Sequence, residues 1–345
     1  MPAPILDGTP MSIERQARMR HITKRIAGRL QDNPLFTAAP RGLLALRALN
    51  EKARSKALPF VRKPQAKVYG RIGNLEVRLA QGRKDILRAQ RLRFEVFYEE
   101  MSATPSVIAG MRRLDQDPYD AVCDHLLVED RSTDTMAGET WTRTRRPHVV
   151  GTYRVLRQEV AQRSLGFYTA SEYDIDPLIA AKSPRYRFME LGRSCVLRPY
   201  RTKRSVELLW HGLWTYIREH KVDVMIGCAS FEGTDPGAHA MALSFLHHHA
   251  LAPPEWRCRA HDHLYVPMDR IPRDKVDAKQ ALKALPPLIK GYLRLGAFVG
   301  DGAVIDRQFG TTDVFVILPV ENIDPRYFDH FGAPDELKSR IAAEV

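Results

Sequence analysis

Between Phe188 and His220 the hydrophobic period changes, and this stretch, FMELGRSCVLRPYRTKRSVELLWHGLWTYIREH, limits the possible folds more than any other. Phe188 to Leu197 is short, half apolar and free of proline, which predicts a strand carrying Glu190 and Arg193. From Ser205 onward Val206, Leu209, Trp210, Leu213 and Ile217 recur at three- and four-residue spacing, which predicts a helix with one apolar face. Arg198, Arg201, Lys203 and Arg204 crowd the handover, where the free N–H groups of a helix start favour an anion. A strand glutamate beside such a turn suits an enzyme that holds a phosphate-bearing carrier while a carboxylate takes a proton from an amine. A salt-bridged strand and a solvated basic turn would carry the same residues.

The charge of the chain is unevenly placed. Residues 1–70 contribute +10 of the net +12, so the basicity belongs to an N-terminal segment. Within it, Met19, Ile22, Ile26 and Leu30 share one helical face amid arginines, and residues 41–57 repeat the plan before Pro59 and Pro64 mark a linker. Residues 1–67 are therefore expected to form a basic amphipathic helical extension suited to an anionic membrane surface, an acidic partner or a solvated helical face packed on the main body. Residues 1–58 hold a single aromatic, Phe36, and the main body is nearly neutral, which argues against nucleic-acid binding. Four scattered cysteines without a C-x-x-C pair, no long apolar run and no secretion signal predict a cytoplasmic protein, with peripheral attachment to the inner face of the membrane through the basic helices.

From Asn74 onward, strand and helix patterns alternate. Strands are expected at NLEVRLA, His125–Glu129, Val149–Leu156, Val222–Ala229 and Asp313–Val320, and helices from Ile86 and from Gly237 to Ala250, an α/β order that fits one domain over residues 68–332 with a short tail at 333–345. Arg154 lies in an apolar strand and demands a carboxylate partner, Asp117 or Glu190. Asp115, Asp117, Asp120 and Asp124 form an acidic patch that is either a solvated loop or a site for a cationic substrate group. Glu190 and Arg193 fall on opposite faces of a regular strand, but Gly192 between them suggests a bulge that would reorient the side chains beyond it. Cys195 and Cys228 lack an adjacent base and are expected in the core. No metal site, nucleotide loop or dinucleotide fingerprint is present, so no bound cofactor is expected.

The motifs RLRFEVFYEEM, DQDPYDAVCDHLLV, GTYRVL, ELGRSCVLRPYR, IGCASFEGTDP and LPPLIKGYLRLGAFVGDGAVIDRQFGTTDVFVILPV give the sequence a family likeness over residues 68–332. It resembles the ornithine-lipid N-acyltransferases, often labelled hemolysin-like, within the GNAT superfamily and distantly related to acyl-homoserine-lactone synthases. The resemblance implies a mixed, mainly antiparallel sheet flanked by helices. It also implies transfer of a 3-hydroxy fatty acyl group from acyl carrier protein to the α-amine of ornithine, the first step of ornithine-lipid synthesis. By the same resemblance Glu190 and Arg193 are expected as catalytic residues and Arg93, Asp117, Asp120 and Arg154 as substrate-binding ones. Arg201, Lys203, Arg204 and Ser205 occupy the superfamily's pyrophosphate loop, yet side chains stand there in place of glycines, which favours the single phosphodiester of a carrier protein's pantetheine over coenzyme A. Acylation of another amine, as in lactone synthases, and a non-enzymatic membrane-surface role are the competing readings.

Overall fold

The computed structural model describes residues 66–101, 103–132, 147–183, 185–324 and 327. Of the expected extension over residues 1–67, positions 1–65 lie outside the described residues, as does the tail 333–345. Strands β1 (Val68–Ile72) and β2 (Leu75–Leu79) form a hairpin, followed by helix α1 (Arg83–Phe94), which runs on as a wider turn through Glu95–Glu100. Then come α2 (Val107–Arg112), β3 (Asp124–Asp130), β4 (His148–Arg157), α3 (Gln158–Ala161), α4 (Asp176–Lys182), β5 (Phe188–Val196) and α5 (Lys203–His220). The chain continues with β6 (Val224–Glu232), α6 (Ala240–Ala250), α7 (Ala278–Ala284), α8 (Pro287–Arg294), β7 (Phe298–Asp306) and β8 (Thr311–Pro319).

All eight strands form one sheet in the order β1-β2-β3-β4-β5-β6-β8-β7. Every neighbouring pair is antiparallel except β5 and β6, which run parallel. That one exception follows from the sequence between them: α5 carries the chain back along the sheet and returns it in the same direction. The fold is therefore the mixed, mainly antiparallel α/β architecture that the motifs imply.

Helix α5 packs on β1, β2 and β3, with Leu208, Leu209, Leu213, Tyr216 and Ile217 buried. Its buried face is rotated from the expected one, since Val206 is 48% exposed. The reason is Gly212. A Cβ there would lie 2.7 Å from Val77 Cγ2, so the helix presses its glycine against β2 and turns Val206 outward.

Several elements go beyond what periodicity predicts. Residues around Pro105 and Gly110 read as a loop, but Ser106 accepts a hydrogen bond from the Ala109 N–H at 3.2 Å and starts α2. Strand β1 reads VYGRI, where Gly70 interrupts the apolar alternation that marks β2, and β7 is broken by a register shift between Val299 and Ala303. In β7, Gly302 has φ +87, and a Cβ would meet the Tyr265 ring at 2.4 Å, so a close approach there outweighs strand regularity.

Candidate active site

Strands β5 and β6 pair only from Phe188 to Glu190 and from Val224 to Ile226. Beyond that they part, β5 staying with β4 and β6 with β8. At the parting point Gly227 has φ +155, and a Cβ would stand 2.3 Å from the Leu191 carbonyl oxygen, so only glycine lets the two backbones meet and then diverge. A cavity of about 480 Å³ occupies the fork, a size suited to a small-molecule site.

Strand alternation sorts its walls. Met225, Val316 and Leu318 lie on one face of the sheet with Tyr292 and Leu288 of α8, and these walls are apolar. Ile226, Cys228, Ser230 and Asp313 belong to the opposite face, as does Glu190 opposite Ile226, and there the cavity also meets Arg154, Tyr168 and Glu172. The cavity thus draws on both faces of the sheet, with an apolar arm on one and a charged arm on the other.

The bulge suggested by Gly192 is present one residue later. Thr152 pairs with Cys195 and Arg154 with Gly192, so β5 fits an extra residue opposite Tyr153, and Arg193 takes φ +50. Gly192, Arg193 and Ser194 consequently all line the cavity, and Arg193 joins Glu190 there despite the odd spacing. A Cβ on Gly192 would meet nothing within 4 Å.

Glu190 is 6% exposed, and its carboxylate accepts the backbone N–H groups of Tyr168 and Thr169 at 2.8 and 2.7 Å. Burial raises its pKa above the usual carboxylate value, while the Thr169 hydroxyl and these two N–H groups pull it part of the way back. Arg154 finds its partner in Asp117, donating to both carboxylate oxygens at 2.6 and 2.7 Å.

Arg93, Asp117 and Asp120 are placed differently from a substrate-binding set: none of them lines the cavity. Arg93 is fully buried and donates to Asp115 at 2.7 Å and to Asp120 at 2.8 Å. Arg193 stands 3.2 Å from Asp117 and 3.3 Å from Asp115, between the rings of Phe309 and Tyr168 at 4.5 and 5.0 Å. Three arginines and three aspartates therefore pair with one another, and the acidic patch is neither a solvated loop nor a free cation site. Burial alone would lift the Asp120 pKa, but the charge of Arg93 outweighs it and holds the group well below the carboxylate range.

The basic turn does not converge as a phosphate cradle either. Arg201 lines the cavity but donates to Glu100 at 2.6 Å and to the Val196 carbonyl at 2.9 Å. Lys203 pairs with Glu207 at 3.4 Å with its side chain 86% exposed, Arg204 is exposed, and Ser205 is buried. The helix start is capped by Thr202, whose hydroxyl accepts the Ser205 N–H at 3.4 Å.

Sequence periodicity missed a second acidic group. Oxygens of Glu172, Asp306 and Asp313 lie within 4.8 Å of one another on the charged arm, close enough to share a cation. Asp306 accepts the N–H groups of Gln308 and Phe309 at 2.8 and 2.9 Å, and Glu172 accepts the Cys228 thiol at 3.1 Å. Burial and the neighbouring Asp313 push Glu172 up to about 7. Burial likewise lifts Asp313 to about 6, with Thr311 and Ser230 pulling it back and Asp306 adding to the rise. A lone aspartate in TTDVFVILPV was the available signal, by the reasoning that singled out Arg154. Cys195 and Cys228 also line the cavity, but burial pushes Cys195 up to about 12 and Cys228 well above its usual value, which suppresses the thiolate a covalent acyl-enzyme needs.

Residues 92–211 match the acetyltransferase (GNAT) domain family. The L-ornithine N(alpha)-acyltransferase of Brucella abortus is 52% identical over 274 residues, 79% of this chain and 94% of that protein. The protein of the same name from Rhizobium meliloti is 53% identical over 270 residues, 78% of this chain and 88% of its own length. Among solved structures, FeeM, an N-acyl amino acid synthase from uncultured soil microbes, covers 76% of this chain and 97% of its own with 10% identity and a TM-score of 0.41, too loose a likeness to bear on function. The forked sheet and the GNAT match define an acyltransferase of the GNAT class. Within that class, the chain belongs to the L-ornithine N(alpha)-acyltransferase family.

Proposed function

We propose that the enzyme moves a 3-hydroxy fatty acyl group from the phosphopantetheine thioester of acyl carrier protein to the α-amine of ornithine, forming lyso-ornithine lipid by direct attack in a ternary complex. The observation that carries this reading is the two-armed cavity through the fork, which offers an apolar berth for the chain on one face of the sheet and, on the other, a charged one for an amino acid beside Glu190. Glu190, directly or through water, takes a proton from the α-ammonium. The freed nitrogen attacks the thioester carbon and the C–N bond forms; the C–S bond then breaks, the departing sulfur takes the second proton of the nitrogen, and the thiol leaves on the pantetheine arm.

The Arg93–Asp120 and Arg154–Asp117 pairs hold β4, α1 and the bulged β5 in register, and so position Glu190 and Arg193. Around Arg198, Lys203 and Arg204 the surface is basic, which suits an acidic carrier protein arriving at the Arg201 side of the cavity. A capped helix start with side chains in place of glycines is poorly shaped for a pyrophosphate.

Purified protein offered 3-hydroxyacyl carrier protein, the matching coenzyme A thioester and a panel of amino acids should yield the mass of acyl-ornithine from the carrier protein. No product with ornithine would sink the acceptor assignment, and equal use of coenzyme A would sink the donor assignment. Glu190→Gln should lower kcat by about 10²–10⁴-fold with carrier-protein binding retained; unaltered turnover removes Glu190 from the role.

No helix among the described residues is long and apolar enough to cross a membrane. We assign attachment at the inner membrane face to the basic segment over residues 1–67, on the strength of its charge and amphipathic spacing. Removing residues 1–60 should release the protein from anionic vesicles while acyl transfer in detergent persists; co-sedimentation of the shortened chain would refute this.

A further inference from the structure

We propose that Glu172, Asp306 and Asp313 form the subsite for the terminal ammonium of the acceptor's side chain, and that this subsite both selects a basic amino acid and restricts acylation to its α-nitrogen. The proposal rests on the ornithine reading and deepens it.

Three observations converge. The carboxylates come from separate parts of the chain, the turn before α4, the end of β7 and the start of β8, yet their oxygens lie within 4.8 Å of one another on a cavity wall. Among the described residues, no lysine or arginine pairs with any of the three. The opposing charge that acts on Glu172 and Asp313, Arg193, is already engaged by Asp115 and Asp117. Most telling, Asp313 is 7% exposed and no protein donor meets its buried Oδ1 in hydrogen-bond geometry, while the nearby Thr311 and Ser230 hydroxyls offset its burial only in part. A buried carboxylate oxygen left unmet is costly, and a cation arriving from the cavity removes that cost.

A primary ammonium matches the group well. It carries one positive charge and three N–H donors, and three carboxylates offer an acceptor to each. Glu190 and the triad line the same charged arm, so an amino acid bound there is offered both. The triad also governs reactivity. Carboxylates around an amine favour its protonated form, which has no lone pair to attack with. The terminal nitrogen is thereby held charged and inert, while the α-nitrogen beside Glu190 is free to lose its proton.

The test compares kcat/KM for ornithine and for norvaline, which has the same carbon chain without the terminal amine, in the full-length enzyme and in Asp313→Asn, Glu172→Gln and Asp306→Asn. Asp313→Asn should lower the ornithine-to-norvaline ratio by about 10²-fold, with smaller falls for the other two. Because the ratio is read within one protein, a general folding defect cancels. A fraction of acyl-ornithine linked through the terminal nitrogen, located by fragmentation of the product, would support the second part. An unchanged ratio in all three variants, with ornithine still acylated, overturns the subsite but leaves the acceptor reading intact. Failure of the unaltered enzyme to acylate ornithine overturns both. Loss of ornithine turnover on treatment with EDTA and its return with Mg²⁺ overturns the proposal in favour of a metal at the same carboxylates.

Discussion

Two clusters of three buried or half-buried carboxylates lie within reach of the same cavity, and they are in opposite electrostatic states. Asp115, Asp117 and Asp120 face Arg93, Arg154 and Arg193, and Asp120 is held well below the ordinary carboxylate range. Glu172, Asp306 and Asp313 face no paired cation among the described residues, and Glu172 and Asp313 are lifted to about 7 and 6. Burial acts on both sets in the same direction; the difference is the presence of the partner charge. A compensated cluster is finished and holds the fold together, whereas an uncompensated one is completed only by something that comes from outside.

The largest effect should follow from unbalancing the finished cluster. Arg93→Met leaves Asp115 and Asp120 short of one buried positive charge, and the loss should be about 3–5 kcal/mol in denaturant unfolding. A change under about 1 kcal/mol would mean that water reaches the network and that the two clusters differ less than the geometry implies.

Removing a charge from the open cluster should act with the opposite sign. Asp313→Asn takes away an unmatched buried negative charge, so the ligand-free protein should gain about 1 kcal/mol at pH 8, or roughly 2–4 °C in Tm. Glu172 and Asp313 have folded pKa values above their unfolded ones. Their stabilising share is therefore complete below about pH 4 and is lost as pH rises through about 6 to 7. Unfolding midpoints measured from pH 5 to 8 should show this decline in the unaltered protein and a flatter course in the variant. Equal slopes would break the comparison.

The smallest effect on stability belongs to Gly192→Leu, which removes no charge from either cluster and whose Cβ meets nothing within 4 Å. The new side chain enters open space, so unfolding should shift by no more than about 1 kcal/mol. It fills the fork between the arms of the cavity, and acyl transfer should be abolished all the same. A folded variant with normal turnover would place the reaction elsewhere.

Local signals carried much of this protein. The switch from period two to period 3.6 across Phe188–His220 marked β5, the turn and α5, and a charge alone in an apolar strand announced that Arg154 needed a carboxylate. Gly192 signalled the bulge, though the positive φ falls on Arg193. The basic turn misled, because residue type at a helix start does not reveal that Thr202 already caps it. The acidic patch was half legible: Asp117 stood among the partners that Arg154 demanded, but nothing in composition gives the meeting of Asp120 with Arg93 or of Asp117 with Arg193.

What the sequence determined by itself was therefore periodicity and bond-level constraint: the order of strands and helices, and the glycines at which chains approach or bend. What only the tertiary structure decided was pairing. Whether a carboxylate is neutralised or waits for a cation depends on groups far away in the chain, since the Coulomb interaction follows distance in space and burial, and neither is written in the spacing of residues. Glu172, Asp306 and Asp313 become a site only when the turn before α4 and the β7–β8 hairpin close on one another.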